Sequence, residues 1–144
     1  LFRSLSYKRI IGLDVGDKRI GVAVSDLLRI TAQGKETYNR KSEMQDVKYF
    51  ADMYRDMDAE CIVCGLPKNM NGTIGPQAEK VMAFAQKVAE ASGAKIVYQD
   101  ERLTTVMAER VLIDADMSRK KRRKVIDKLA AVTILQSYLD SHPG

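Results

Sequence analysis

Arg9-Ile10-Ile11-Gly12-Leu13-Asp14-Val15-Gly16-Asp17-Lys18-Arg19-Ile20-Gly21-Val22-Ala23-Val24-Ser25 is the stretch that decides the fold. Arg9 to Val15 reads as a strand, Gly16-Asp17-Lys18 supplies a turn, and Arg19 to Ser25 is a second strand with Ile20, Val22 and Val24 on one face. Strands joined so closely pair antiparallel. Asp14 is the exception in its apolar run, and it shares a face with Ile10 and Gly12. A charge buried in such a place is costly unless it is paired or binds metal. Small neighbours of this kind are expected to leave room for a ligand or phosphate to approach the backbone.

Working outward, a weaker third strand is expected between Arg29 and Thr37. Ser42 and Gln45 form a capping box, and Val47, Phe50, Ala51 and Tyr54 follow at the spacing of an amphipathic helix. Glu60 to Cys64 reads as a buried strand, followed by the loop Gly65 to Gly72. Gly75-Pro76 starts a helix whose apolar stripe is Val81, Phe84, Ala85 and Val88, and Gly93 stops it. Lys95 to Gln99 is the next strand. It leads into Asp100-Glu101-Arg102-Leu103-Thr104-Thr105 and a helix through about Ile113, and Val125 to Leu139 is the last helix. Three strands, then alternating helices and strands, imply right-handed parallel crossovers added to an antiparallel hairpin. The expected fold is an α/β single domain over residues 1–144, with a five-stranded mixed sheet flanked by helices.

Composition narrows the partners. The formal net charge is +5, and Arg119, Lys120, Lys121, Arg122, Arg123 and Lys124 form an unbroken basic run. Setting those six aside leaves 18 basic against 19 acidic residues, so the whole excess is one patch. Such a run suits nucleic-acid phosphates; as a solvated stretch between two helices it is expected to resist ordered packing. No apolar stretch approaches the roughly 20 residues that cross a bilayer. The opening segment has no secretory apolar region, so a cytoplasmic location is expected. Cys61 and Cys64 lie three apart on a strand, which puts them on opposite faces about 10 Å apart, too far for a disulfide. With His142 as the single histidine, neither zinc ligation nor Cys–His or Ser–His–Asp catalysis is expected.

Carboxylates carry the remaining chemistry. Besides Asp14, the Asp100–Glu101 pair stands at the carboxyl end of a parallel strand, where ligands of open α/β sheets bind. Strand parity lets only one of the two converge with Asp14, without saying which. Asp127 shares its helical face with Ala130, Ala131, Ile134 and Tyr138, a core-facing position that requires a partner. Three acids suffice for one or two hard divalent cations, Mg2+ or Mn2+, which activate water for in-line attack on a phosphodiester.

Gly12 to Asp26, Gly65-Leu-Pro with Gly72 downstream, Asp100-Glu-Arg-Leu-Thr-Thr and Asp127-Lys-Leu-Ala-Ala-Val-Thr-Ile-Leu-Gln occur in an order that resembles the YqgF family along nearly the whole chain. The resemblance implies a bacterial, RNase H-like nuclease that matures the 5′ end of a 16S rRNA precursor or resolves Holliday junctions. It implies metal-binding and catalytic roles for Asp14, Glu101 and Asp127, with two ions expected. Where resolvases carry an acid at the end of the fourth strand, this chain has Gly65, so Glu101 is expected to supply the missing carboxylate. Lys18, Arg19, Lys68, Asn69, Arg102 and Thr104 join the basic run as expected nucleic-acid contacts. Ribosomal particles are an expected partner, membranes are not, and a monomer or homodimer fits equally. Two rival readings remain: an actin-like ATPase domain, from the phosphate-loop look of Gly12 to Gly16, and a non-catalytic nucleic-acid binder.

Overall fold

The hairpin forms as its alternating pattern requires. β1 (Ile11–Val15) and β2 (Arg19–Ser25) pair antiparallel, with Ile11 opposite Val24 and Val15 opposite Ile20. The computed structural model describes residues 8–101 and 119–142, with side chains in the second stretch from Ile126 onward. β3 (Ala32–Asn39) continues the antiparallel meander, with an irregularity in register between Val22 and Ala23. It begins three residues later than the sequence suggests. Arg29 takes a left-handed φ of 59°, and the Asp26 carboxylate accepts from the Ile30 and Thr31 N–H groups, so the chain is still turning there.

Two crossovers complete the sheet. α1 (Glu43–Asp56) leads to β4 (Ile62–Leu66), which lies parallel to β1, and α2 (Pro76–Ser92) leads to β5 (Ile96–Asp100), parallel to β4. The strand order is β3-β2-β1-β4-β5, so both crossovers grow from the same edge of the hairpin. Local chemistry fixes the helix ends. Ser42 and Gln45 close the capping box on α1, Pro76 opens α2, and Gly93 at φ 78° ends it in the left-handed conformation.

Helices cover both faces. On one, Ile11, Leu13, Ile20, Val22, Ile62, Cys64 and Leu66 pack against Phe50, Met53, Val81, Phe84 and Val88 of α1 and α2. On the other, Ile10, Ala23, Cys61 and Val63 pack against Ala130, Ala131, Ile134, Leu135 and Leu139 of α3 (Arg119–Ser141). Ile134 and Leu135 are fully buried, a gain of about 2 kcal/mol each. The two cysteines fall in different cores as free thiols, and burial pushes Cys61 up to about 11 and Cys64 to about 12.

Two expectations need correcting. The backbone is helical through Arg119–Lys124, six residues before the expected start of the last helix, so the basic run is not a connector. Helix propensity explains this, since Arg and Lys are good helix formers once a docked segment downstream provides the nucleus. The space beside Gly12 does not await a ligand: α3 fills it, as it fills the space beside Gly21. A Cβ on Gly12 would meet Leu135 Cβ at 2.7 Å, and one on Gly21 would meet the Asp127 carbonyl at 1.8 Å. Finally, the most deeply buried residues of α1 are Asp46, Phe50, Ala51 and Met53, and the expected Val47 and Tyr54 pack against the same core while only partly buried. The helix expected to run to Ile113 lies outside the described residues.

Candidate active site

Strand parity aims the acids. Ile11, Leu13 and Val15 face α1 and α2, so Asp14 faces α3. On β5, Asp100 stands level with Leu66, which belongs to the α1/α2 core, and Gln99 stands level with Gly65. Glu101, one residue beyond Asp100, therefore returns to the α3 side. Its Oε1 is buried and lies 2.7 Å from where a Gly65 Cβ would stand. The space that the missing side chain leaves at Gly65 is filled by the Glu101 carboxylate and by Ile134 Cδ1, which would sit 2.4 Å from the same Cβ.

Asp127 arrives from above. Gly21 is the cross-strand partner of Asp14, and the α3 backbone touches down on Gly21 at residue 127. That approach puts Asp127 on the wall of the same cavity as Asp14. Arg19 Nε donates to Asp127 Oδ2 at 2.8 Å, and both side chains are largely buried. The partner that a core-facing Asp127 requires is thus Arg19, which the sequence suggested only as a nucleic-acid contact.

Asp14, Glu101 and Asp127 border one cavity of about 380 Å³ at the carboxyl ends of β1, β4 and β5, with Arg19, Gly65, Pro67 and Gln77 among its other walls. Gln77, in the first turn of α2, carried no signal in the sequence. Oxygen-only donors of this kind suit hard divalent cations rather than zinc. No three His, Cys, Asp or Glu side chains among the described residues converge closely enough to enclose an ion. The donor type and the shared cavity suit a hard cation.

A buried tie holds the floor of the site. Asp46 accepts from the Tyr38 hydroxyl at 2.8 Å, Arg40 Nε at 3.0 Å and the Lys41 N–H at 2.9 Å. Arg40 Nη1 also donates to the Gly16 carbonyl at 3.0 Å, linking this network to the turn between Asp14 and Arg19. Burial by itself raises the Asp46 carboxyl, but those three donors outweigh it and hold it below its ordinary range. The same burial and the bond to Asp46 push Tyr38 up to about 12.

The expected nucleic-acid contacts scatter. Arg19 is in the cavity; Lys18 lies on the adjoining turn. Asn69 is largely engaged by its own loop, where its N–H donates to the Thr73 carbonyl and its side-chain amide to the Thr73 hydroxyl, with Lys68 beside it. Arg102 and Thr104 lie outside the described residues, as do the side chains of Arg119–Lys124.

A mixed sheet in this order, with acids from β1, β5 and a docked helix around one cavity, is the RNase H-like architecture of nucleases. Solved structures agree on the fold: Thermus thermophilus RuvC in complex with a Holliday junction substrate superposes at TM-score 0.59, with 10% identity, over 94% of this chain and 95% of that one. The fowlpox virus resolvase with Holliday junction DNA gives 0.55 at 12% identity, over 94% and 99%. The family described as "RuvX: Holliday junction resolvase" matches residues 8–141, and the chain belongs to that nuclease family. Among its relatives, a protein of Caldanaerobacter subterraneus subsp. tengcongensis is 58% identical over 92% of this chain and 96% of its own length. One of Clostridioides difficile is 56% identical over 92% and 94%. Both are provisionally named pre-16S rRNA nuclease. Among the described residues no helix is long and apolar enough to cross a membrane.

Proposed function

We propose that this chain is a metal-dependent endonuclease that hydrolyses phosphodiester bonds of structured RNA, trimming the 5′ end of a 16S rRNA precursor in the cytoplasm, on the ribosomal particle that carries it. The observation that carries the reading is the cavity bordered by Asp14, Glu101 and Asp127, whose walls among the described residues include no Cys, His or Ser. In this reading water is the attacking group. Mg2+ or Mn2+, as one or two ions held by these three carboxylates, would supply a lowered water pKa and charge stabilisation at the phosphoryl oxygens. Asp14 and Glu101 are carried at strand ends and Asp127 on a helix seated on Gly21, so the backbone brings all three to one cavity before substrate arrives, with Asp127 still paired to Arg19.

RNA is favoured by relatives that share more than half of their residues with this chain. The family's description favours a second reading, hydrolysis at a four-way DNA junction. The test incubates pure protein, parent and Asp14→Asn, with a precursor 16S leader RNA and a matched four-way DNA junction in Mg2+ or Mn2+. Cleavage of the RNA by the parent and not by the folded variant supports the proposal. Cutting of the junction alone moves the assignment to DNA. An Asp14→Asn protein that cuts at the parent rate refutes the role given to the acids.

A further inference from the structure

We propose that Arg19 is the resident counter-ion of the acidic cavity: it holds the Asp127 carboxylate in the metal-free chain, so that a divalent cation must displace the guanidinium before Asp127 can serve as a ligand. The inference rests on the proposed role of Asp14, Glu101 and Asp127 as ligands.

Three observations carry it. First, the ion pair is short and sheltered: Arg19 Nε meets Asp127 Oδ2 at 2.8 Å, with the two side chains 26% and 19% exposed. Second, the pair is held by backbone rather than by two flexible stems. The Gly16 N–H donates to the Arg19 carbonyl at 2.9 Å, which closes the turn after Asp14, and the Asp127 carbonyl sits on Gly21. Third, Arg19 lines the same cavity as Asp14, Glu101 and Asp127, so its charge already lies among the acids that an ion would join. Carboxylates sharing a cavity of about 380 Å³ repel one another, and a guanidinium that stays protonated offsets that repulsion. A divalent cation offers the same carboxylate more charge, and the two cations repel each other, so they compete. Released from Asp127, the guanidinium remains on the cavity wall, where its planar set of donors matches a phosphate.

Calorimetric titration of Mn2+ into parent, Arg19→Met and Arg19→Lys protein tests this without any cleavage assay. Arg19→Met is expected to bind Mn2+ roughly tenfold tighter, equal to about 1.4 kcal/mol. Arg19→Lys, which keeps the charge, should stay within about threefold of the parent. Made in an Asp127→Asn background, Arg19→Met should change the affinity by less than about twofold, because the competitor then has nothing to guard. Metal-free Arg19→Met should also melt below the parent and gain more from added Mn2+. If Arg19→Met does not fold, Arg19→Gln reads the same competition. Unchanged or weaker Mn2+ binding by Arg19→Met overturns the proposal, as does equal tightening with and without Asp127. Asp14→Asn and Glu101→Gln separate the two levels. If both weaken Mn2+ binding while loss of Arg19 does not tighten it, the ligand assignment stands and the counter-ion role alone fails. If neither weakens it, both fail.

Discussion

Gly21→Ala should cripple the site from beneath. The added Cβ would stand 1.8 Å from the Asp127 carbonyl oxygen and 2.5 Å from its carbon, both backbone atoms. Real Cβ atoms essentially never come closer than 3.0 Å, so α3 must retreat by about 1.2 Å at residue 127. It cannot do so there alone, because Ala130, Ala131, Ile134 and Leu135 on the following turns are fully packed. Overfilling a packed core costs about 1–3 kcal/mol, and a backbone obstruction belongs at the upper end, so about 3 kcal/mol is expected. In a chain of this size that lowers the melting temperature by about 6–12 °C. A misplacement of about 1 Å can also cost on the order of a hundredfold in rate, so cleavage should fall by about that factor in protein that remains folded. Calorimetry and single-turnover cleavage, at a temperature where the variant is folded, provide the two readings. Two glycines calibrate them. Gly34→Ala meets only the flexible stem of Lys128, and should cost less than about 0.5 kcal/mol. Gly93→Ala has open space around it but a φ of 78°, and should cost about 1 kcal/mol without touching activity. A Gly21→Ala protein that melts and cuts like the parent would refute the placement of α3 on the sheet.

The remaining expectations are separable. Asp46→Asn leaves Arg40 with a buried neutral partner and should cost about 3 kcal/mol near neutral pH. Because the folded carboxyl is held below its ordinary value of 3.8, its contribution is present above that pH and lost as the pH falls through the lowered value. Urea titrations of parent and variant should therefore converge in acid, and a constant gap down to pH 2 would contradict this. Glu101→Gln should weaken Mn2+ binding and cleavage, whereas Asp100→Asn, across the sheet, should leave Mn2+ affinity within about twofold; the reverse pattern would exchange their roles. Replacing Arg119–Lys124 with Gln and Ser should flatten the salt dependence of duplex binding, by about 0.9 in log–log slope for each phosphate no longer neutralised. An unchanged slope would show that the run never meets the substrate.

Parity made most of the fold legible. Alternation around Asp14 and the Gly16 turn dictated the hairpin, and the spacing Val81, Phe84, Ala85, Val88 marked the buried face of α2. Choosing between Asp100 and Glu101 needed to know which helices lie on which face, and that is a property of the docked chain rather than of the strand. The sequence shows where side chains are missing but not what fills the gap, which is why Gly12 suggested a ligand where a helix lies. Arg19 and Asp127 are 108 positions apart, and only the sheet register brings them together. Asp46 escaped because an acid in the first turn of a helix has a sufficient local explanation. Its spacing, four residues before Phe50 and seven before Met53, is the signal that places it on the buried side.

The order of elements along the chain has a consequence for synthesis. All five strands and two of the helices precede residue 101, whereas Asp127 lies on α3, which covers its own face of the sheet. Translation delivers roughly 5–20 residues per second, and folding follows from the N-terminal side. A nascent chain can therefore acquire its sheet and the α1/α2 core before the last acid of the proposed set has left the ribosome. Until α3 lies down on Gly21, Asp14 and Glu101 border an open groove lacking its third carboxylate. If the three acids act as proposed, a chain that stops short of Asp127 lacks one of them and leaves RNA uncut.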